Sequence, residues 1–106
     1  MTFRVIITPD AEVDLRKAYL FIRKSAPLAA RQWIKGARQT IKSLARHPER
    51  APLAPESASF KEPIREVFYG HGNRGIYRIL FAVFDRRVFV LHVRHGSMRT
   101  LEVDKN

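Results

Sequence analysis

The chain has 106 residues, 45% hydrophobic and 28% charged, the balance of an ordinary globular protein, and residues 1–106 read as a single domain. It has no cysteine, which excludes a disulfide framework, a thiol nucleophile and a thiolate metal site. Its longest unbroken apolar run, Ile79 to Phe84, falls far short of the roughly 20 residues of a membrane-spanning helix, and no apolar signal region opens the chain. The expectation is therefore a cytoplasmic protein with no membrane partner. Twenty Lys and Arg, fourteen of them Arg, oppose ten Asp and Glu for a net charge of +10, and this favours a polyanionic or acidic partner. The charge is clustered. Leu15 to Pro48 holds nine basic residues and no acid, and Ile64 to Thr100 holds seven Arg against Glu66 and Asp85.

Phe3 to Ile7 is a β-branched run and reads as a strand. Thr8-Pro9-Asp10 then starts a helix, with Thr8 as cap, Pro9 at the first helical position, and Asp10 and Glu12 against the positive end of the dipole. Ala11, Leu15, Ala18 and Ile22 recur at helical steps and form its buried stripe. Lys24 to Pro27 ends this helix, and Pro27 opens a second. There Ala30, Ile34, Ala37, Ile41 and Leu44 make a core stripe, with Arg31, Lys35, Arg38 and Lys42 in a parallel basic stripe one residue on. Trp33 is expected in the core, and His47-Pro48 closes the helix.

Pro48 to Pro63 contains four prolines and no sustained pattern; a segment of this kind is expected to wrap the surface. The remainder reads as three strands, Ile64 to Tyr69, Ile76 to Phe84 and Val88 to Arg94, whose short connections require antiparallel pairing. Tyr77, Ile79, Phe81 and Val83 share one side of their strand, and Phe89, Leu91 and Val93 one side of the next; these are the expected core faces. The opposite parity places Arg78, His92 and Arg94 on a face that two helices leave open.

Two motifs are set aside on geometry. Gly70 to Gly75 matches G-x-G-x-x-G, but a strand follows where a dinucleotide site needs a helix N-terminus. His92 and His95 have H-x-x-H spacing, which on a strand sends the two rings to opposite faces. No cofactor and no metal are expected. What remains is the end of the sheet, where Arg78, Arg94, His95, Ser97 and Arg99 would form a phosphate-binding environment. With RNA as ligand, His95 could take a 2′-hydroxyl proton while the arginines hold the charge developing on phosphate. The alternative is that His95 ends the strand and the arginines serve solubility or bind an acidic partner.

The order strand, two helices, Pro-rich loop and three-stranded meander resembles the RelE/ParE superfamily of toxins from bacterial type II toxin–antitoxin modules. The residues that carry the resemblance are Ile64-Arg65-Glu66, Tyr77-Arg78-Ile79-Leu80-Phe81, Val90-Leu91-His92-Val93-Arg94-His95-Gly96 leading to Arg99, and His47-Pro48. It implies an α+β fold with two helices on one face of a small, mainly antiparallel sheet, and a toxin of the plasmid-stabilisation type neutralised by a cognate acidic antitoxin. RelE-type members are ribosome-dependent ribonucleases acting on mRNA, and in them Arg78, His95 and Arg99 would be the catalytic positions. ParE-type members inhibit DNA gyrase without a catalytic site. This chain lacks the second-strand lysines and the C-terminal aromatic residue usual in the nucleases, so it is read as ParE-like. The implied target or antitoxin surface comprises Arg65, Arg78, His92, Arg94 and Arg99. A non-toxic basic module for nucleic acid is the further alternative.

Overall fold

The computed structural model describes residues 2–70 and 75–97. A first strand, β1 (Arg4–Ile7), leads through Thr8 into helix α1 (Pro9–Arg23), followed by helix α2 (Pro27–Ser43). Two 3₁₀ turns, Pro48–Arg50 and Pro55–Ser59, occupy the proline-rich segment before strands β2 (Arg65–Gly70), β3 (Ile76–Phe84) and β4 (Arg87–His95). The sheet order is β1-β4-β3-β2; β1 runs parallel to β4 and the other pairings are antiparallel. The result is the expected α+β arrangement, with an order that places the first strand beside the last.

Thr8 makes the junction that sequence predicts. Its hydroxyl oxygen accepts from Ala11 N at 3.3 Å, capping α1, and the hydroxyl donates to the Val90 carbonyl at 2.7 Å, tying the helix start to β4. Ala11, Leu15 and Ile22 are buried as their spacing requires. On α2 the buried stripe runs through Ala30, Trp33, Ala37, Ile41 and Leu44, with Ile34 only half-buried. Two alanines flank Trp33 on this face and leave room for the indole, so Trp33 takes the position expected for Ile34. Between the helices, Arg38 makes a bidentate pair with Glu12 at 3.0 and 3.1 Å. Hydrogen bonding to Arg38 holds the Glu12 carboxyl below its ordinary range, against the opposing effect of partial burial.

The inner face of β3 is the expected one, with Tyr77, Ile79 and Phe81 buried and Val83 packed beside them. On β4 the expectation needs correction. Val88, Val90 and Val93 face the helices, while Phe89 and Leu91 do not. Ile79 pairs with Val93 and Leu80 with His92, yet Phe81 pairs with Val90, so Leu91 is an extra residue in β4. A bulge of this kind reverses the facing of every residue before it.

The face away from the helices is also less open than expected. Segment 52–64 folds back along β2 through an Ala54 N to Ile64 carbonyl bond of 2.8 Å and a Glu66 N to Pro52 carbonyl bond of 3.0 Å. Ala54 and Ile64 bury Leu80 beneath them, in a second, smaller core. Proline supports this roof physically, since a strip that forms few ladder bonds loses little from missing N–H groups.

The β3–β4 hairpin turns through Asp85 and Arg86, both with positive φ (52° and 66°). That is the primed geometry matching the twist of the flanking strands, normally filled by Asn-Gly. Arg86→Gly is accordingly expected to raise stability by up to about 1 kcal/mol, because the left-handed conformation penalises a Cβ. An unchanged or lower urea midpoint would contradict it.

Candidate functional site

Arg78 is the residue on which the sequence reading turned, and its surroundings correct that reading. It lies on the face away from the helices, but it is only 8% exposed. Its Nη1 and Nη2 donate to the two carboxylate oxygens of Glu56 at 3.0 and 2.5 Å, and its Nε donates to Glu66 Oε1 at 2.9 Å. Glu56, in the second 3₁₀ turn, is fully buried, and Glu66 sits on β2 beside it. Hydrogen bonding to the Glu56 carboxylate, and to that of Glu66, raises the guanidinium pKa above its ordinary value, outweighing the desolvation that opposes it. The expected solvent-facing arginine is thus a buried, ion-paired strut that fastens the proline-rich roof to the sheet. A planar fork with donors on three nitrogens meets one carboxylate bidentately and a second through Nε, a geometry that a lysine ammonium does not reproduce.

Of the rest of the expected patch, Arg94 stands directly opposite Arg78 on β4 and His92, paired with Leu80, shares the same face, as the sequence parity predicts, whereas Arg65 does not. Arg65 shares the parity of Val67 and Tyr69, which pack against the main core, and its Nη1 donates to the Ala51 carbonyl at 2.6 Å. It therefore belongs to the opposite face. His92 lies over the edge of β4, its Nδ1 3.0 Å from Asp14 Oδ2, and the same oxygen accepts from Val93 N at 2.9 Å. Asp14 thus supplies the partner that β1, ending at Ile7, no longer offers. Arg94 follows on the outer parity, half-buried. Arg99 lies outside the described residues.

His95 falls on the helix side of the sheet, paired in register with Tyr77. Its ring meets Tyr77 edge-on at 5.0 Å, Tyr77 meets Trp33 at 4.8 Å, and Trp33 meets Tyr69 at 6.0 Å. A run of aromatic rings therefore connects the sheet end to the middle of the core. Burial raises the pKa of both Tyr77 and Tyr69, so neither phenol is suited to act as a base at neutral pH. The imidazole Nδ1 accepts from Ser97 N at 3.1 Å and lies 2.7 Å from Ser97 Oγ. Gly75, at φ 82°, passes so close that a Cβ there would lie 2.6 Å from His95 Nε2. Asp14 also lines this end but is already engaged by His92 and Val93, so the elements of a serine–histidine–acid relay are not assembled.

Arg78 and His95 consequently stand on opposite faces of the sheet. What does converge at the end of β4 is a groove of about 680 Å³ between that strand and α1, where Lys17, Arg94, His95 and Ser97 surround Phe21 and Tyr77. Phe21 is 71% exposed, an apolar anchor among basic groups. Neither Phe21 nor the partners Glu56 and Asp14 were legible as site residues in the sequence. Phe21 interrupts no periodicity, and the acids are far in sequence from the groups they hold.

Comparison with known proteins agrees with this architecture. The model of the family described as ParE toxin of type II toxin-antitoxin system, parDE, matches residues 5–100. Among solved structures, the chromosomal ParDE toxin–antitoxin system from P. aeruginosa superposes with a TM-score of 0.70 at 16% identity, covering 89% of this chain and 96% of that one. The E. coli toxin RelE in the free state, as an arginine-to-alanine mutant, gives a TM-score of 0.57 at 16% identity, covering 92% and 86%. No curated protein sequence matches.

Proposed function

Because this chain belongs to the family of ParE toxins of type II toxin–antitoxin systems, we propose that it arrests growth by acting on DNA gyrase and that a cognate acidic antitoxin neutralises it. The observation that carries this reading over messenger-RNA cleavage is the occupation of Arg78. A guanidinium that is 8% exposed, with three of its five N–H donors and its charge committed to two carboxylates, is poorly placed to meet a scissile phosphate, and His95 lies across the sheet from it. Inhibition by binding needs no such constellation. It needs a displayed surface, and the groove with Phe21 and its basic rim supplies one.

An acidic antitoxin fits the charge of the rest of the molecule. Arg31, Lys35 and Lys42 are exposed along α2, and α2 has no acid in its first turn. Carboxylates aligned along such a stripe would speed encounter and fix orientation.

Purified protein added to gyrase and relaxed plasmid is expected to block supercoiling or trap cleaved DNA, and Phe21→Ala is expected to weaken the effect at least several-fold. Full supercoiling at a large excess of toxin, together with transcripts cut at the ribosomal A site, would replace this reading with the nuclease one.

A further inference from the structure

One corner of the sheet takes part in none of the contacts above. On the face away from the helices, segment 52–64 covers Leu80 and reaches only to Ala82 and Leu91. Beyond that margin Ile6 alternates with Val5 and Ile7, Phe89 with Val88 and Val90, and Phe84 follows Val83; their neighbours pack into the main core, so these three project outward. None of them belongs to either core. Phe84 is 60% exposed, while Ile6 and Phe89 are half-buried.

Strand register arranges the corner in two rows. Arg4 pairs with Arg87 and Arg87 with Phe84; one step along, Ile6 pairs with Phe89 and Phe89 with Ala82. Phe84 and Phe89 are thus diagonal neighbours on adjacent strands, about 7–8 Å apart by ordinary sheet spacing. Arg86 stands at the hairpin tip, and the Arg4 N–H bond to the Arg86 carbonyl, 2.9 Å, holds β1 against the turn. Asp85 is the one carboxylate of the hairpin, 73% exposed at its side chain and 3.5 Å from Arg87, a contact that solvent screens.

We propose that this corner is a platform for single-stranded nucleic acid, with bases stacking on Phe84 and Phe89 and phosphates met by Arg4, Arg86 and Arg87. One exposed ring and one half-buried ring on the outer face of the sheet, bordered by guanidiniums, offer every base a stacking surface without reading its edges. A duplex, whose bases are already stacked, could use only the arginines. An acidic polypeptide could likewise use the arginines but would leave the rings without a matching flat partner. The inference is independent of the gyrase reading, since the corner shares no residue with the groove around Phe21.

Fluorescence anisotropy of the full chain with labelled dodecathymidylate, dodecauridylate and a self-complementary duplex of equal charge tests it. Both single strands are expected to bind more tightly than the duplex, with affinity falling as salt rises. Phe84→Leu keeps the apolar surface but removes the ring and is expected to weaken binding roughly tenfold. Arg87→Gln should weaken it and lower the salt slope by about one, while Phe60→Leu, on the covered half, should change nothing. Preference for uridylate would identify RNA as the strand, and equal binding a generic single-strand platform. Equal affinity for the duplex, or an unaltered affinity in Phe84→Leu with its circular dichroism intact, would overturn the proposal.

Discussion

Replacing Arg78 with alanine is expected to cost about 3–5 kcal/mol of folding stability, because it leaves two buried carboxylates without their counter-charge. For a domain whose whole margin is about 5–15 kcal/mol, that is a large share. The loss should appear as a fall in the urea midpoint and as early exposure of the proline-rich segment, which Glu56 no longer fastens to the sheet. Arg78→Lys should fall between, since an ammonium keeps the charge but cannot reproduce the planar fork that meets Glu56 bidentately while Nε meets Glu66. The informative companion is the triple replacement Glu56→Leu, Glu66→Leu and Arg78→Met. A buried ion cluster exchanged as a whole for apolar groups of similar volume is often neutral or stabilising, so this variant should recover most of the midpoint. The pair of results separates a structural arginine from a phosphate-binding one. An Arg78→Ala protein with an unchanged urea midpoint would refute the assignment.

Gly36→Ala is expected to destabilise by about 1–3 kcal/mol, the range for overpacking a filled site. The sign runs against helix propensity, which favours alanine over glycine in a helix interior by up to about 1 kcal/mol. Gly36 lies in the middle of α2, and a Cβ there would overlap the Tyr69 hydroxyl and come within 2.7 Å of the ring carbon that bears it. Tyr69 cannot swing away freely. Its hydroxyl donates to the Trp33 carbonyl at 3.0 Å and its ring lies against the indole. Removing that hydroxyl as well, in Gly36→Ala with Tyr69→Phe, should recover part of the loss, a coupling that a double-mutant cycle measures directly. A Gly36→Ala protein more stable than the parent in thermal unfolding would show that β2 can retreat from α2.

Much of the architecture is dictated by local chemistry and is legible residue by residue. Thr8-Pro9-Asp10 specifies a helix start because a capping hydroxyl, a proline at the first position and an acid in the first turn all satisfy the same end of the helix. The stripes Ala11–Leu15–Ile22 and Ala30–Ala37–Ile41 specify which sides of two helices are buried, and the alternation Tyr77–Ile79–Phe81 which side of β3 meets them. The net charge of +10 and the absence of cysteine likewise come from composition alone. These features depend on neighbours within a few residues, which periodicity samples well.

The tertiary structure decided the rest, for a common physical reason: each outcome depends on groups distant in sequence. The bulge at Leu91 exists only relative to β3, so parity counted along β4 alone assigned Phe89 and Leu91 to the wrong side. Arg78 reads as a free cation in its strand, and its engagement follows from a carboxylate 22 positions earlier that arrives only when segment 52–64 folds over the sheet. Asp14 completes the edge of β4 across 79 positions. A long-range ion pair carries no local sequence signature, because its attraction depends on separation in space and on the dielectric around it, and folding sets both.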